Sequence, residues 1–423
     1  MSSGSPSRGM PRDMPVERIV VVGASLAGGR VAEQLRRGGF EGELLVVGAE
    51  PHRPYDRPPL SKKMLEGGQT PESLYFRSAE WYAERKIDLV LGTRAVGLDA
   101  RARSVALSDG RALSWDRLVI ATGADVRRLR GPGADLRGIH YVRTLEDALA
   151  IQAALHPGAR AVILGAGVIG MEVAATARGR GAEVTVLEIV PRPLARAFGA
   201  AVGDLYAEVH RDHGVDLRCG VAVDAILGTG RVEEVVLVGG ERIAADLLIA
   251  GIGVTPATAW LAGSDIALAP DGGVLTDDHG RTNVEGVYAA GDVATFFDPR
   301  EGRPMRVESV DHAQSQAQVV ASNLVGKDEV YAPVPFFWSD QYDLKLQSVG
   351  HVGPYDEVVF RGSVKDRAFV AFHLHEGRLA FAVGVNRLKE IGGAKKLVGS
   401  RVPVSRDALA DESVSLATLL PAK

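Results

Sequence analysis

Two stretches of the chain carry the same order of apolar and polar positions. The first, from Arg18, reads RIVVVGASLAGGRVAEQLRRGGFEGELLVVGAE; the second, from Arg160, reads RAVILGAGVIGMEVAATARGRGAEVTVLE. Each opens on a short, continuous apolar run of the kind a strand buried on both faces requires. A glycine-rich turn follows, then an Ala-rich helical stretch, then a second apolar run that closes on an acid. The pattern predicts a strand–turn–helix–strand unit, the opening of a dinucleotide-binding Rossmann domain, present twice. Further along, each copy gains another strand ending in small residues, DRLVIATGA at 116–124 and ADLLIAGIGVTP at 245–256. Two such units in series predict two dinucleotides, or one held for structure and one for hydride delivery.

Beyond Asp265 the pattern predicts short hairpin-like strands leading into GVYAAGDV, then a helix over 308–326 closed by glycine. From about residue 327 the period changes to two. KLQSVGHV, DEVVFRG and AFVAFHLHEGRLAFAVGV predict an antiparallel meander with HEGR as a turn, and LKEIGGAKKLVG predicts a closing helix. The fold class is therefore α/β: two Rossmann-like units and a C-terminal α+β domain built on an antiparallel sheet.

Composition narrows the class. The chain has 423 residues, enough for two to three domains, and its 46% apolar content excludes general disorder. A net charge of −4 argues against a nucleic-acid partner. A single cysteine, Cys219, cannot build a disulfide framework, a cysteine zinc site or an iron–sulfur cluster within one chain, and no metal site is read. It also excludes a disulfide reductase that needs a redox-active cysteine pair, unless a partner supplies the thiols. Residues 1–15, MSSGSPSRGMPRDMP, read as a flexible head without the apolar core of a secretion signal. With no run long enough to span a bilayer, the expectation is a cytoplasmic protein with no membrane partner.

In the first turn, Gly23, Ser25 and Gly28 occupy the three fingerprint positions, with Ser25 where a glycine would let backbone approach a pyrophosphate. Its hydroxyl could donate to a phosphate instead. Glu50 ends the next strand, placed to accept from ribose hydroxyls. The second turn is complete, with Gly165, Gly167 and Gly170, and Glu188 ends its strand. An acid there favours a free 2′-hydroxyl and repels a 2′-phosphate, so NADH is expected over NADPH. Arg192 and Arg196 just beyond read as solvated surface arginines.

Together with PYDRPPLSK (54–62), ATG (121–123), GVYAAGD, VES (307–309) and FFWSDQYD (336–343), these motifs resemble the two-dinucleotide flavoproteins related to glutathione reductase. Within that group the chain is most similar to the NADH-dependent ferredoxin reductases of bacterial oxygenase systems, over nearly its whole length. The resemblance implies FAD in a domain of residues 16–121 and 252–327, NAD in 122–251, and a C-terminal interface domain over 328–423. It implies Asp292 and Val293 at the ribityl chain, and Ala121, Thr122 and Gly123 on the FAD side. Arg57 and Pro58 would lie beside the isoalloxazine with Lys62 near N5, and Ile169 and Glu172 against the nicotinamide, Glu172 pairing with Lys62. Glu308, Ser309 and Val310 would start a helix whose positive end faces the flavin. Some members carry tryptophan where this chain has Val310, so aromatic shielding on that side is not carried over.

The implied activity is transfer of a hydride from NADH to FAD and of single electrons to a [2Fe–2S] ferredoxin serving a P450 or a Rieske-type oxygenase. An NADH oxidase or another one-electron-acceptor reductase of the same fold is the alternative, as is an interaction flavoprotein like apoptosis-inducing factor. FFWSDQYD holds four aromatic rings in a chain that is only 6% aromatic. The resemblance places Trp338 between flavin and carrier, while simple alternation would make half of these rings core. A basic docking rim for an acidic ferredoxin is expected among Arg300, Arg303, Arg306, Lys389, Lys395, Lys396 and Arg401.

Overall fold

The computed structural model describes residues 16–421. The head read at 1–15 lies outside them.

The first repeat builds a five-stranded parallel sheet in the order Val287–Ala289, Arg117–Ile120, Arg18–Val22, Glu43–Val47, Ile87–Val90. Its central strand explains the unbroken apolar run. Ile19 and Val21 pack on the helices Leu26–Arg37 and Val310–Leu324, while Val20 and Val22 pack on a small antiparallel meander over 95–114. Both faces are covered, so neither position of the alternation can be polar.

The second repeat repeats this plan. Its parallel sheet runs Asp216–Cys219, Glu183–Glu188, Arg160–Leu164, Leu247–Ala250, Ile139–His140. Ala161 and Ile163 meet the helix side and Val162 and Leu164 the meander side. The chain passes between the two units twice, and those passages pair antiparallel as Ala124–Val126 with Val254–Pro256.

The C-terminal sheet is five-stranded and antiparallel, ordered Phe336–Gln341, Leu344–Gly350, Arg378–Val385, Ala368–His375, Glu357–Ser363, with the helix Leu388–Ser400 packed on it. Glu376 and Gly377 both take positive φ, 49° and 69°, the geometry of the tight primed hairpin that HEGR predicts.

One expectation holds only in part. After Asp265 the antiparallel bridges Leu268–Val274 and Arg281–Tyr288 stand isolated, and the regular hairpin, Ala294–Asp298 with Arg303–Met305, follows GVYAAGDV rather than leading into it. Val274–Thr276 pairs in parallel with Ala294–Asp298, and Val287–Ala289 leaves to complete the first sheet. All three residues of that strand are buried, and burial on both faces outweighs pairing with a sequence neighbour. The helix expected over 308–326 spans Val310–Leu324, capped by Ser309, whose hydroxyl accepts from the His312 N–H at 3.2 Å. Among the described residues, no helix is long and apolar enough to cross a membrane.

Candidate functional site

The strand ends of both parallel sheets open on one cavity of about 940 Å3, roofed by the C-terminal sheet. This volume lies at the upper end of ligand pockets, which run to roughly 1,000 Å3.

The glycines of each turn divide their work. At Gly23, with φ +122°, an added Cβ would lie 2.1 Å from the Ala121 carbonyl; at Gly28 it would lie 1.8 Å from the Gly23 carbonyl. Gly165 and Gly170 are as tight, at 2.5 Å from the Gly251 carbonyl and 2.0 Å from the Gly165 carbonyl. Gly23 and Gly165 close each turn against the end of a neighbouring strand, and Gly28 and Gly170 close the helix against the turn. Gly167 differs: nothing lies within 4 Å of its Cβ direction, and it lines the cavity. Ser25 holds the corresponding place in the first turn and also lines the cavity.

Glu50 is not the free acceptor expected from its place on the strand. Tyr55 donates to one oxygen at 2.5 Å and Arg57 to the other at 2.5 Å. Arg57 also donates to Ser25 Oγ at 2.9 Å and to the Arg143 carbonyl, which ties the PYDRPP segment to the first turn. Burial works against the Arg57 charge, but Tyr55, Glu50 and Asp292 around it raise its pKa on balance. Burial drives the Tyr55 phenol upward as well, so it remains a donor.

On the opposite wall Glu172 and Lys62 meet at 2.6 Å. Glu172 is 3% exposed. Ser61 donates to the same oxygen that Lys62 approaches, at 2.5 Å, and Ser339 to the other at 2.6 Å. Ile169, one turn earlier on this helix, is 44% exposed and faces the cavity.

Asp292 lines the cavity with the Arg143 guanidinium 3.5 Å away. Ala121, Thr122, Gly123, Pro58, Val307, Glu308, Ser309 and Val310 also line it, so the N-terminus of the Val310–Leu324 helix points into it. Five sequence candidates do not line it: Gly28, Gly165 and Gly170, which close the turns, and Val293 and Glu188. Val293 is fully buried in the core below. Glu188 lies behind the second turn, accepting from the backbone N–H of Ala166 at 2.7 Å and of Val190 at 3.0 Å.

The aromatic strand divides by alternation. Phe337, Ser339 and Gln341 turn inward; Phe337 packs against Phe198 at 5.8 Å, and Ser339 and Gln341 are buried. Phe336 and Trp338 stack at 6.1 Å on the other face, half-buried and both lining the cavity, and Asp340 is exposed. The Lys395 ammonium lies 5.6 Å from the Phe336 ring.

Two arginines of the expected basic rim are neutralised. Arg306 pairs with Asp271 at 2.6 Å and with Glu308 at 2.5 Å, and Arg300 pairs with buried Asp298 at 3.1 Å. Arg192 is held by Asp204 at 2.8 Å, whereas Arg196 lines the cavity.

Sequence reasoning missed Ser61, Ser339, Tyr55 and Arg143. Ser339 had a faint signal in its alternation with Phe337. Arg143 had none, because only the fold brings it to Asp292.

The pyridine nucleotide-disulphide oxidoreductase family matches residues 17–317, and the reductase C-terminal family matches 336–420. The chain is 39% identical to putidaredoxin reductase of Pseudomonas putida over 412 residues, covering 96% of this chain and 97% of that protein. It is equally 39% identical to the ferredoxin–NAD(+) reductase component of the anthranilate 1,2-dioxygenase system of Burkholderia cepacia, over 96% of this chain and all of that one. Its fold superposes on the reductase in the covalent putidaredoxin reductase–putidaredoxin complex with a TM-score of 0.92, at 38% identity and over 95% and 98% of the two chains.

Proposed function

We propose, for a chain that belongs to the pyridine nucleotide-disulphide oxidoreductase family and carries the reductase C-terminal domain, that it is an FAD-dependent NADH:ferredoxin reductase. The observation that carries this reading is one cavity running from two dinucleotide turns to an aromatic strand. It joins a hydride entrance to an electron exit without a cysteine pair between them. On this reading the FAD unit comprises 16–121 and 252–327, the NAD unit 122–251, and the interface domain 328–423. Membership of the two parallel sheets supports that division.

The cavity suits two dinucleotides. Empty space beside Gly167, on the cavity wall, matches the approach of a pyrophosphate. FAD would be held by the first turn, Asp292 and the Ser309 helix start, NADH by the second turn and Ile169. When bound, the flavin accepts electrons in a pair and releases them singly.

The chain's own groups do the positioning. Arg57 links Ser25 to Glu50 and holds a positive charge at the cavity wall beside the first turn. Ser25 Oγ accepts from Arg57, which leaves its own proton free to donate. Lys62 supplies a positive charge at the cavity wall, and Glu172 offsets the cost of burying it. The helix start at Ser309 adds the positive end of a dipole, which favours negative charge on a bound ring. Trp338 and Phe336 exclude water from the side facing solvent. The partner is a [2Fe–2S] ferredoxin, and through it a P450 or a Rieske oxygenase. A cytoplasmic setting, where NADH is supplied, goes with this reading.

The test is NADH-driven reduction of cytochrome c by the holoenzyme. It should depend on added [2Fe–2S] ferredoxin; equal rates without ferredoxin would instead make the protein an oxidase or a general acceptor reductase.

A further inference from the structure

Glu172 is the point where all three units touch one side chain. Its carboxylate belongs to the NAD-side helix, Ser61 and Lys62 to the PPLSK segment, and Ser339 to the C-terminal sheet. Ser61 and Ser339 are 2% and 1% exposed, so neither hydroxyl has water as an alternative partner. A carboxylate only accepts, so both hydroxyls donate to it.

The contact with Ser339 continues inward in one direction. Gln341 Nε2 donates to Ser339 Oγ at 3.2 Å, and Gln341 Oε1 faces His210 Nε2 at 2.9 Å. An amide oxygen only accepts, so His210 carries its proton on Nε2. Burial holds this imidazole neutral, its pKa depressed to about 4. Every donor in the series His210, Gln341, Ser339 therefore points toward Glu172, and hydrogen bonds aligned head to tail strengthen one another. Gln341 and His210 are 2% and 0% exposed, so the series is closed to solvent along its length. A second tie holds Ser61 itself: Thr176, one turn beyond Glu172, donates to the Ser61 carbonyl at 3.0 Å.

We propose that Ser339, oriented by Gln341 and His210, is a positioning residue for Glu172, so that the C-terminal domain sets the geometry of the carboxylate on the nicotinamide side of the cavity. This rests on the reductase reading above and deepens it. The residue next to Trp338 reaches back to the hydride side, so one strand organises both ends of the electron path. Lys62 and Ser61 share one carboxylate oxygen, and Ser339 alone among the described side chains engages the other. Without Ser339, the carboxylate keeps its charge partner but loses the contact that fixes its rotation.

The experiment is anaerobic stopped-flow reduction of the holoenzyme by NADH, followed by flavin bleaching. Ser339→Ala should slow the limiting rate by about fivefold or more while the apparent NADH Kd stays within about twofold, the pattern of lost orientation rather than lost binding. Ser339→Thr, which keeps the hydroxyl, should recover most of that rate. Gln341→Met should act in the same direction through Ser339, and it provides a second variant should Ser339→Ala not yield folded holoprotein. A readout independent of turnover is a thermal-unfolding cycle of Ser339→Ala, Glu172→Gln and the double variant. The double variant should lose less Tm than the two single losses added together. Additive losses, a wild-type rate in the Ser339 and Gln341 variants, or no recovery by threonine would overturn the proposal. Failure of NADH to bleach the wild-type flavin would overturn the reductase reading instead, and the unfolding cycle would still decide the contact.

Discussion

A carbonyl oxygen 1.8 Å from where a Gly28 Cβ would sit leaves no room for any other residue, and the obstacle is backbone rather than a side chain that could turn aside. Gly28→Ala should destabilise the first unit by about 1–3 kcal/mol through overpacking. It should also lower the ratio of flavin to protein absorbance in purified protein. Glu188 makes a different prediction because it serves two ends. Its oxygens hold the Ala166 and Val190 N–H groups, and on the proposed function its charge would oppose a 2′-phosphate. Glu188→Gln keeps an acceptor and removes the charge, so the kcat/KM preference for NADH over NADPH should fall by about tenfold, about 1.4 kcal/mol. An unchanged ratio would make Glu188 a turn residue alone. At the exit, Trp338→Ala should slow ferredoxin reduction by about tenfold or more and leave NADH-to-ferricyanide activity within about twofold. Equal losses in both assays would make this ring part of the cavity wall with no separate role toward the carrier.

At the scale of elements, the apolar runs of both repeats read as strands because parallel strands covered on both faces leave no polar alternation to confuse with helix. The meander was as legible, since period two and a Glu-Gly turn agree. The strand Val287–Ala289 was not. Three residues carry too little pattern to show whether they pair with a neighbour or with a strand about 170 residues earlier. The Val310–Leu324 helix joins the scales, because its capped start forms part of the cavity wall. Ser309→Ala should cost about 1 kcal/mol in stability, recovered by Ser309→Asp, which caps as well. Thermal unfolding of the FAD-loaded protein checks it.

At the scale of the whole molecule, buried imidazoles stand at the contacts between units. His210 meets Gln341 across the boundary of the C-terminal sheet, and His373 lies against Gly199 with both ring nitrogens unpartnered. Burial depresses both to about 4 from an ordinary 6.5. The unfolded chain therefore binds more protons between those values. Their contribution to stability is complete above pH 6.5 and is lost as pH falls toward 4. Each adds a slope of up to about 1.4 kcal/mol per pH unit in that window. His373→Phe should flatten the fall in Tm between pH 6.5 and 4.5, whereas a slope unchanged by the substitution would place the acid-sensitive groups elsewhere.

The local chemistry of this protein was already determined by its sequence. Strand periodicity, turn glycines, the single cysteine and the acids closing each second strand depend only on neighbours along the chain. The pairing of Lys62 with Glu172 was implied only by the resemblance, and it is the fold that brings the two together at 2.6 Å. Tertiary structure alone decided which charges were free. Arg300 and Arg306 are consumed by Asp298, Asp271 and Glu308, and Glu50 by Tyr55 and Arg57. It also brought Ser339 to Glu172, 167 positions apart in the chain. The reason is physical: a buried polar group must find partners in space, and that requirement leaves no period or spacing in a linear sequence.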